Sequence, residues 1–82
     1  MEYYVTIRNT KTLEILHSKY YNLYTLSIAT TLINPVVITM VQCAVSPNRC
    51  TVWINLPDNA TRIIVKQIDN LLVVEPEFRG VE

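Results

Sequence analysis

Side chains able to do chemistry are sparse in this chain, and none of them gathers into a motif. His17 is the single histidine, and without a nucleophile placed to use it, a lone imidazole is ordinarily structural or solvated rather than a general base. Glu75 and Glu77, with Pro76 between them, form a carboxylate pair suited in type to acid–base work, but their nearness to the chain end favours a solvated edge. Cys43 and Cys50 do not amount to a disulfide framework and read as two reduced, half-buried thiols of a cytoplasmic protein. A metal site fails for want of ligands, since His17 lies far from both cysteines. Arg8 has no neighbouring glycine with which to build a phosphate loop, and the first loop lacks the two closely spaced cysteines of a copper carrier. Thr51, Trp53 and Asn55 are a poor substitute for the exposed aromatic, basic and glycine residues of an RNA-binding sheet. The expectation is therefore a non-catalytic chain, not an enzyme, with no metal or cofactor of its own.

Composition bounds the elements that hold these residues. Eighty-two residues make one domain, close to the size at which burial alone is marginal, so association with a copy or a partner is expected. Seven acidic and seven basic residues give a net charge of zero, which supplies no field for nucleic acid or acidic membranes. Half the residues are hydrophobic and only one is glycine, as in an ordered domain with few positions needing positive φ. The start, MEYYVTIRN, has no basic region followed by an apolar run, so no secretory signal is visible.

The most legible stretch runs from Arg49 to Phe78. Thr51, Trp53 and Asn55 alternate with Val52, Ile54 and Leu56, which predicts a strand over Cys50 to Leu56. Pro57 stops it, and Asp58 or Asn59 offers a cap for a following helix. Ala60, Ile63, Ile64, Ile68, Leu71 and Leu72 then fall on a stripe of helical period, with Arg62, Lys66 and Asp69 on the wet side. Asp58 with Arg62 and Lys66 with Asp69 sit at helical pair spacing. Val73 to Phe78 reads as a last strand near a sheet edge, since Pro76 restrains Glu75 against helix. Strand, helix and strand would make a crossover unit with its two strands parallel.

These residues resemble a known family. The run IIVKQIDNLLVV, preceded by RCTVWIN, is similar to the second half of the ACT domain in the small regulatory subunit of acetohydroxyacid synthase (acetolactate synthase). Ile64, Val65, Lys66, Gln67 and Ile68 carry the closest match, continued by Leu71, Leu72 and Val74. The resemblance implies a regulatory subunit of branched-chain amino acid biosynthesis. It would dock on a catalytic synthase subunit, and thiamine diphosphate is expected only in that partner. Valine, leucine or isoleucine would be the amino acid effector, held between two copies. In the family the loop after the first strand reads N-x-P-G-V-L and contributes backbone amides to the effector site. Here Asn9, Thr10, Lys11, Thr12 and Leu13 occupy that place; Asn9 and Leu13 match, whereas Lys11 stands for the proline and Thr12 for the glycine.

The first half admits two readings. Tyr3, Val5 and Ile7 alternate with Tyr4, Thr6 and Arg8, predicting an opening strand. In one version Thr12 caps a short helix striped by Leu13, Leu16, Tyr20 and Leu23, and Leu23 to Leu32 is the second strand. In the other the helix runs to about Ile33, is broken by Asn34 and Pro35, and the second strand is Val36 to Val45. That strand would make a hairpin with Cys50 to Leu56 through Ser46, Pro47, Asn48 and Arg49.

Either version gives an α+β, ferredoxin-like βαββαβ sandwich, four antiparallel strands with two helices on one face, as a single ACT-like domain over residues 1–79 and a flexible tail over 80–82. Two copies joined through a sheet edge or helix face would form a dimer with a continuous eight-stranded sheet. Two alternatives stay open. One is a ligand-free protein–protein interaction module. The other is a small membrane protein spanning about Leu23 to Val45, because no charged residue occurs from Tyr20 to Asn48.

Overall fold

Alternation of two, rather than a helical period, governs the regular elements among the described residues. The computed structural model describes residues 1–44 and 48–78, and its regular elements are seven strands. They are β1 (Glu2–Asn9), β2 (Ile15–Asn22), β3 (Ser27–Thr30), β4 (Val37–Cys43), β5 (Arg49–Asn55), β6 (Ala60–Ile68) and β7 (Leu71–Phe78). Four of them form one sheet in the order β2-β1-β5-β4, and three form a second in the order β3-β7-β6. β1 is antiparallel to β2 and parallel to β5, and β4 returns antiparallel on β5. In the smaller sheet β7 is parallel to β3 and antiparallel to β6.

The core lies between the two sheets. Val5 and Ile7 of β1 stand in register with Cys50 and Val52 of β5, and all four are buried. Leu72 and Val74 of β7 meet them from the facing sheet, with Tyr21, Leu23, Val36, Ile54 and Leu56 completing one cluster. Sheet faces of this kind are stabilised chiefly by apolar area removed from water, about 1.5–3 kcal/mol for each fully buried side chain of this size. β2 lies beside β6, so the three-stranded sheet covers the β2 side of the larger one. β4 overhangs at the far edge. Val41, on the inner face opposite Val52, is consequently 46% exposed.

This architecture overturns the ferredoxin-like, ACT-like assignment. Among the described residues there is no helix, where the sequence predicts two. Residues 60–68, whose stripe suggests an amphipathic helix, form edge strand β6. Five of its nine residues are β-branched (Thr61, Ile63, Ile64, Val65, Ile68), which lose χ1 freedom in a helix and pack well on a pleated surface. Ile63 and Val65 face the core while Ile64 and Ile68 are left largely exposed. The adjacent Ile63 and Ile64 are what made two periods fit one sequence. The ACT-like fold needs that helix, so the expectation that came with it, a regulatory subunit of acetolactate synthase that binds an amino acid in branched-chain amino acid biosynthesis, loses its structural basis.

Other expectations change with it. Cys50–Leu56 and Val73–Phe78 are not parallel neighbours, because β5 and β7 belong to different sheets. β7 is the centre of its sheet rather than an edge. It tolerates Pro76 because β3 ends opposite Val74, so the ring's missing N–H falls beyond the last pairing on that side. A two-residue turn, Asp69 and Asn70, joins β6 to β7, with Asp69 at φ 54°, a conformation Asp and Asn tolerate better than most residues. The expected helical ion pairs are replaced by Lys11 with Asp58 at 3.6 Å and Lys66 with Glu75 at 3.3 Å across β6 and β7. Neither N-terminal version holds fully. Residues 15–22 are strand in place of the helix, while β3 falls within the strand of one version and β4 within that of the other. The uncharged middle, read alternatively as a membrane span, is broken into β3 and β4, and no described helix is long and apolar enough to cross a bilayer. The β4–β5 hairpin forms as expected; Ser46 and Pro47 of its turn and the tail over 80–82 lie outside the described residues.

The cysteines are not reduced thiols. Cys43 and Cys50 face each other across the hairpin and form a disulfide, because the register places them directly opposite. The bond spans a sequence separation of 7, and a loop of that length stabilises the folded chain by about 2.5 kcal/mol through the entropy it removes from the unfolded state. Reduction with a phosphine is expected to lower the unfolding free energy by about 2–3 kcal/mol in urea titrations monitored by circular dichroism. The spectrum before and after should be that of strands with no helical double minimum.

Candidate functional site

The loop singled out in the sequence, Asn9 to Leu13, closes the β1–β2 hairpin, and its amides are largely engaged within the protein. The Lys11 amide donates to Asn9 Oδ1 at 2.9 Å, the Leu13 amide to the Asn9 carbonyl at 2.7 Å and the Thr10 amide to the Ile54 carbonyl at 2.7 Å. Asn9 thus shapes the turn with its side chain, as asparagine does in tight turns. Leu13 holds φ at 66°, and its carbonyl accepts from Arg8 Nη1 at 2.8 Å. Asn9, Lys11 and Thr12 border a small hollow with Asp58 and Thr61. Leu13 instead lines a neighbouring open cleft of about 670 Å³ with Arg8, Glu14, Arg62 and Ile63.

A second constellation, which sequence reasoning did not assemble, occupies the outer face of the four-stranded sheet. Successive side chains of a strand point to opposite faces, so with Val5 and Ile7 inward, Tyr4, Thr6 and Arg8 of β1 point outward. Register then sets three rows. Tyr4 stands opposite Tyr20 on β2 and Arg49 on β5. Thr6 stands opposite Ser18 and Thr51, and Arg8 opposite Trp53. The Tyr4 and Tyr20 rings lie 4.6 Å apart, and the Arg49 guanidinium sits 5.2 Å from the Tyr4 centroid. Arg8 sits 5.8 Å from the Trp53 ring. Ser18 donates its hydroxyl hydrogen to Tyr4 Oη, so the Thr6 hydroxyl supplies the hydrogen shared with Ser18 Oγ. Trp53 Nε1 is buried and finds no hydrogen-bond acceptor among the described residues, an unmet need worth about 1–3 kcal/mol. The signal was present as alternation within β1 and β5, but only the parallel pairing of strands more than forty positions apart brings Tyr4 to Arg49 and Arg8 to Trp53.

A third feature is the edge strand β4. The Ala44 amide donates to the Arg49 carbonyl, and by the alternation of an antiparallel ladder Gln42 and Met40 also turn their backbone groups toward β5. The amides and carbonyls of Val41 and Cys43 therefore point at the open edge. Near the start of the strand the ladder bulges at Thr39. Its hydroxyl donates to the Trp53 carbonyl at 3.0 Å and accepts from Thr10 at 3.0 Å.

His17 and the pair Glu75 and Glu77 are separated by the fold. The two carboxylates lie on the outward side of β7, where Glu75 meets Lys66. His17 lies on the inward side of β2, its Nε2 2.6 Å from the Tyr21 hydroxyl. Among the described residues no three His, Cys, Asp or Glu side chains cluster as a metal would require. Against known proteins, no family model, no curated protein and no solved structure matches this chain.

Burial, with the Lys19 ammonium as a lesser cause, holds the His17 imidazole below its ordinary value of 6.5, and burial raises the Tyr21 hydroxyl. The pairing suits a neutral imidazole accepting from a protonated phenol. Because the folded pKa is depressed, the unfolded chain binds more protons in this range. The stability contributed by neutral His17 is complete above 6.5 and is lost as pH falls through that value toward the folded one. Unfolding free energy is therefore expected to fall as the pH drops through 6.5, and His17→Asn should flatten that part of the profile measured by urea titration at each pH.

Proposed function

We propose that this chain is a non-catalytic interaction module that works by strand addition at the β4 edge, with a second copy of itself as partner. The supporting observation is the character of that edge. β4 offers seven residues, none charged, with unpaired backbone groups at Val41 and Cys43. Natural sheets usually protect such edges with lysine, proline or brevity. The other edges have such protection: β3 has four residues, β2 carries His17 and Lys19, and β6 carries Arg62 and Lys66. Around β4 lie the apolar side chains of Leu32 (97% exposed), Ile33, Val37 and Met40.

A copy of the same strand is the partner that this chemistry fits. Antiparallel self-pairing centred on Val41 sets Val41 against Val41 and Thr39 against Cys43, matching donors to acceptors with no like charges opposed. The two larger sheets become one of eight strands, and extra apolar area leaves water, which a domain of this size needs.

Sedimentation velocity from about 5 to 200 μM is expected to give a concentration-dependent dimer. Val41→Pro removes an amide that points at the open edge and no bond to β5, so it should weaken association about tenfold or more while leaving the thermal midpoint nearly unchanged. A wild-type chain that stays monomeric across the range, or a dimer indifferent to the proline, refutes the proposal.

A further inference from the structure

We infer that the outer face of the four-stranded sheet is a binding platform for single-stranded nucleic acid. β1 and β5 are the central strands of that sheet, and each presents an aromatic ring outward, Tyr4 and Trp53. No described element of the chain covers them from that side. Each ring has a guanidinium beside it, Arg49 with Tyr4 and Arg8 with Trp53.

Single strands are bound without strong sequence preference by this combination of stacking rings and cations that meet the backbone. The Tyr4 and Trp53 rows lie four residues apart along β1, about 13 Å at 3.3 Å per residue, far enough for two bases to stack separately. Between them runs the Ser18, Thr6 and Thr51 row, hydroxyls suited to sugar and phosphate oxygens. Beside Tyr4 and Tyr20 is a hollow of about 310 Å³ bordered by Arg49, Asn48 and Glu2. It has room for a planar ring and hydrogen-bonding groups for its edge.

Net charge gave the opposite expectation, but the sum hides the distribution. Of the described carboxylates only Glu2 is on this face. Glu14 and Asp58 sit at the loop end, Asp69 in the β6–β7 turn, and Glu75 and Glu77 on the other sheet. Arg8 shares its cleft with Glu14 and Arg49 its hollow with Glu2, so each cation that meets a phosphate chain has a single carboxylate as its near neighbour.

The test uses the full chain and fluorescein-labelled ten-nucleotide single strands, DNA and RNA, read by anisotropy, with Trp53, the sole tryptophan, as an internal reporter of stacking. Binding tighter than about 100 μM is expected, with quenching of Trp53. The slope of log K against log salt should be about −1.4 for two neutralised phosphates. Tyr20 is 58% exposed and its ring lies 4.6 Å from that of Tyr4 beside the hollow, so Tyr20→Ala should leave the fold intact and weaken binding about fivefold or more by removing one wall of the Tyr4 stacking site. Arg49→Gln should halve the salt slope. Absence of binding overturns the inference. So does binding without quenching that Tyr20→Ala leaves untouched and that heparin competes away equally well, since that marks a surface for polyanions in general.

Discussion

The parallel pairing of β1 with β5 is the constraint on which the rest depends. It joins strands more than forty positions apart, places Val5 and Ile7 against Cys50 and Val52 on one face, and sets Tyr4 beside Arg49 and Arg8 beside Trp53 on the other. Because side chains alternate without slack, one register decides both the core and the exposed surface; a shift by one residue would exchange them. The loop after β1 is tied to the same pairing through the Thr10 amide on the Ile54 carbonyl.

A domain this small has limited means of stabilising itself, and the structure uses more than one. The inter-sheet cluster is made of Val, Ile and Leu with a single tyrosine, whose hydroxyl is met by His17 Nε2. At the overhanging edge, where the second sheet no longer covers β4, the disulfide takes over from packing and ties Cys43 to the buried Cys50. That division explains how β4 stays attached while much of its apolar surface remains in water. An edge so held is uncharged and open, and the dimer proposed there would leave the aromatic outer faces of both copies on the same side of one extended sheet.

Part of this was legible from composition and alternation. The opening strand and β5 follow from apolar alternation in Tyr3 to Arg8 and Thr51 to Leu56, the β4–β5 hairpin from the turn residues between its strands, and the last strand from Pro76, which holds Glu75 out of a helix. The helix expected over residues 60–71 did not follow, because Ile63, Ile64 and Ile68 satisfy a period of 3.6 while Ile63 and Val65 satisfy a period of two. A sequence alone does not say which stripe meets a core. The β-branched content was the better guide, since it reports side-chain sterics rather than an assumed neighbour.

By itself the sequence determined that the chain is short and neutral in net charge, rich in apolar residues and poor in glycine, with a long uncharged middle. These are properties of residue types and need no partner to be read. Only the tertiary structure decided that Cys43 and Cys50 are opposite, that Lys66 meets Glu75, and that Tyr4, Tyr20, Arg49, Arg8 and Trp53 share one surface. Each of those is a register between strands, set by which apolar faces find each other across the sandwich, and distance along the chain carries no information about it.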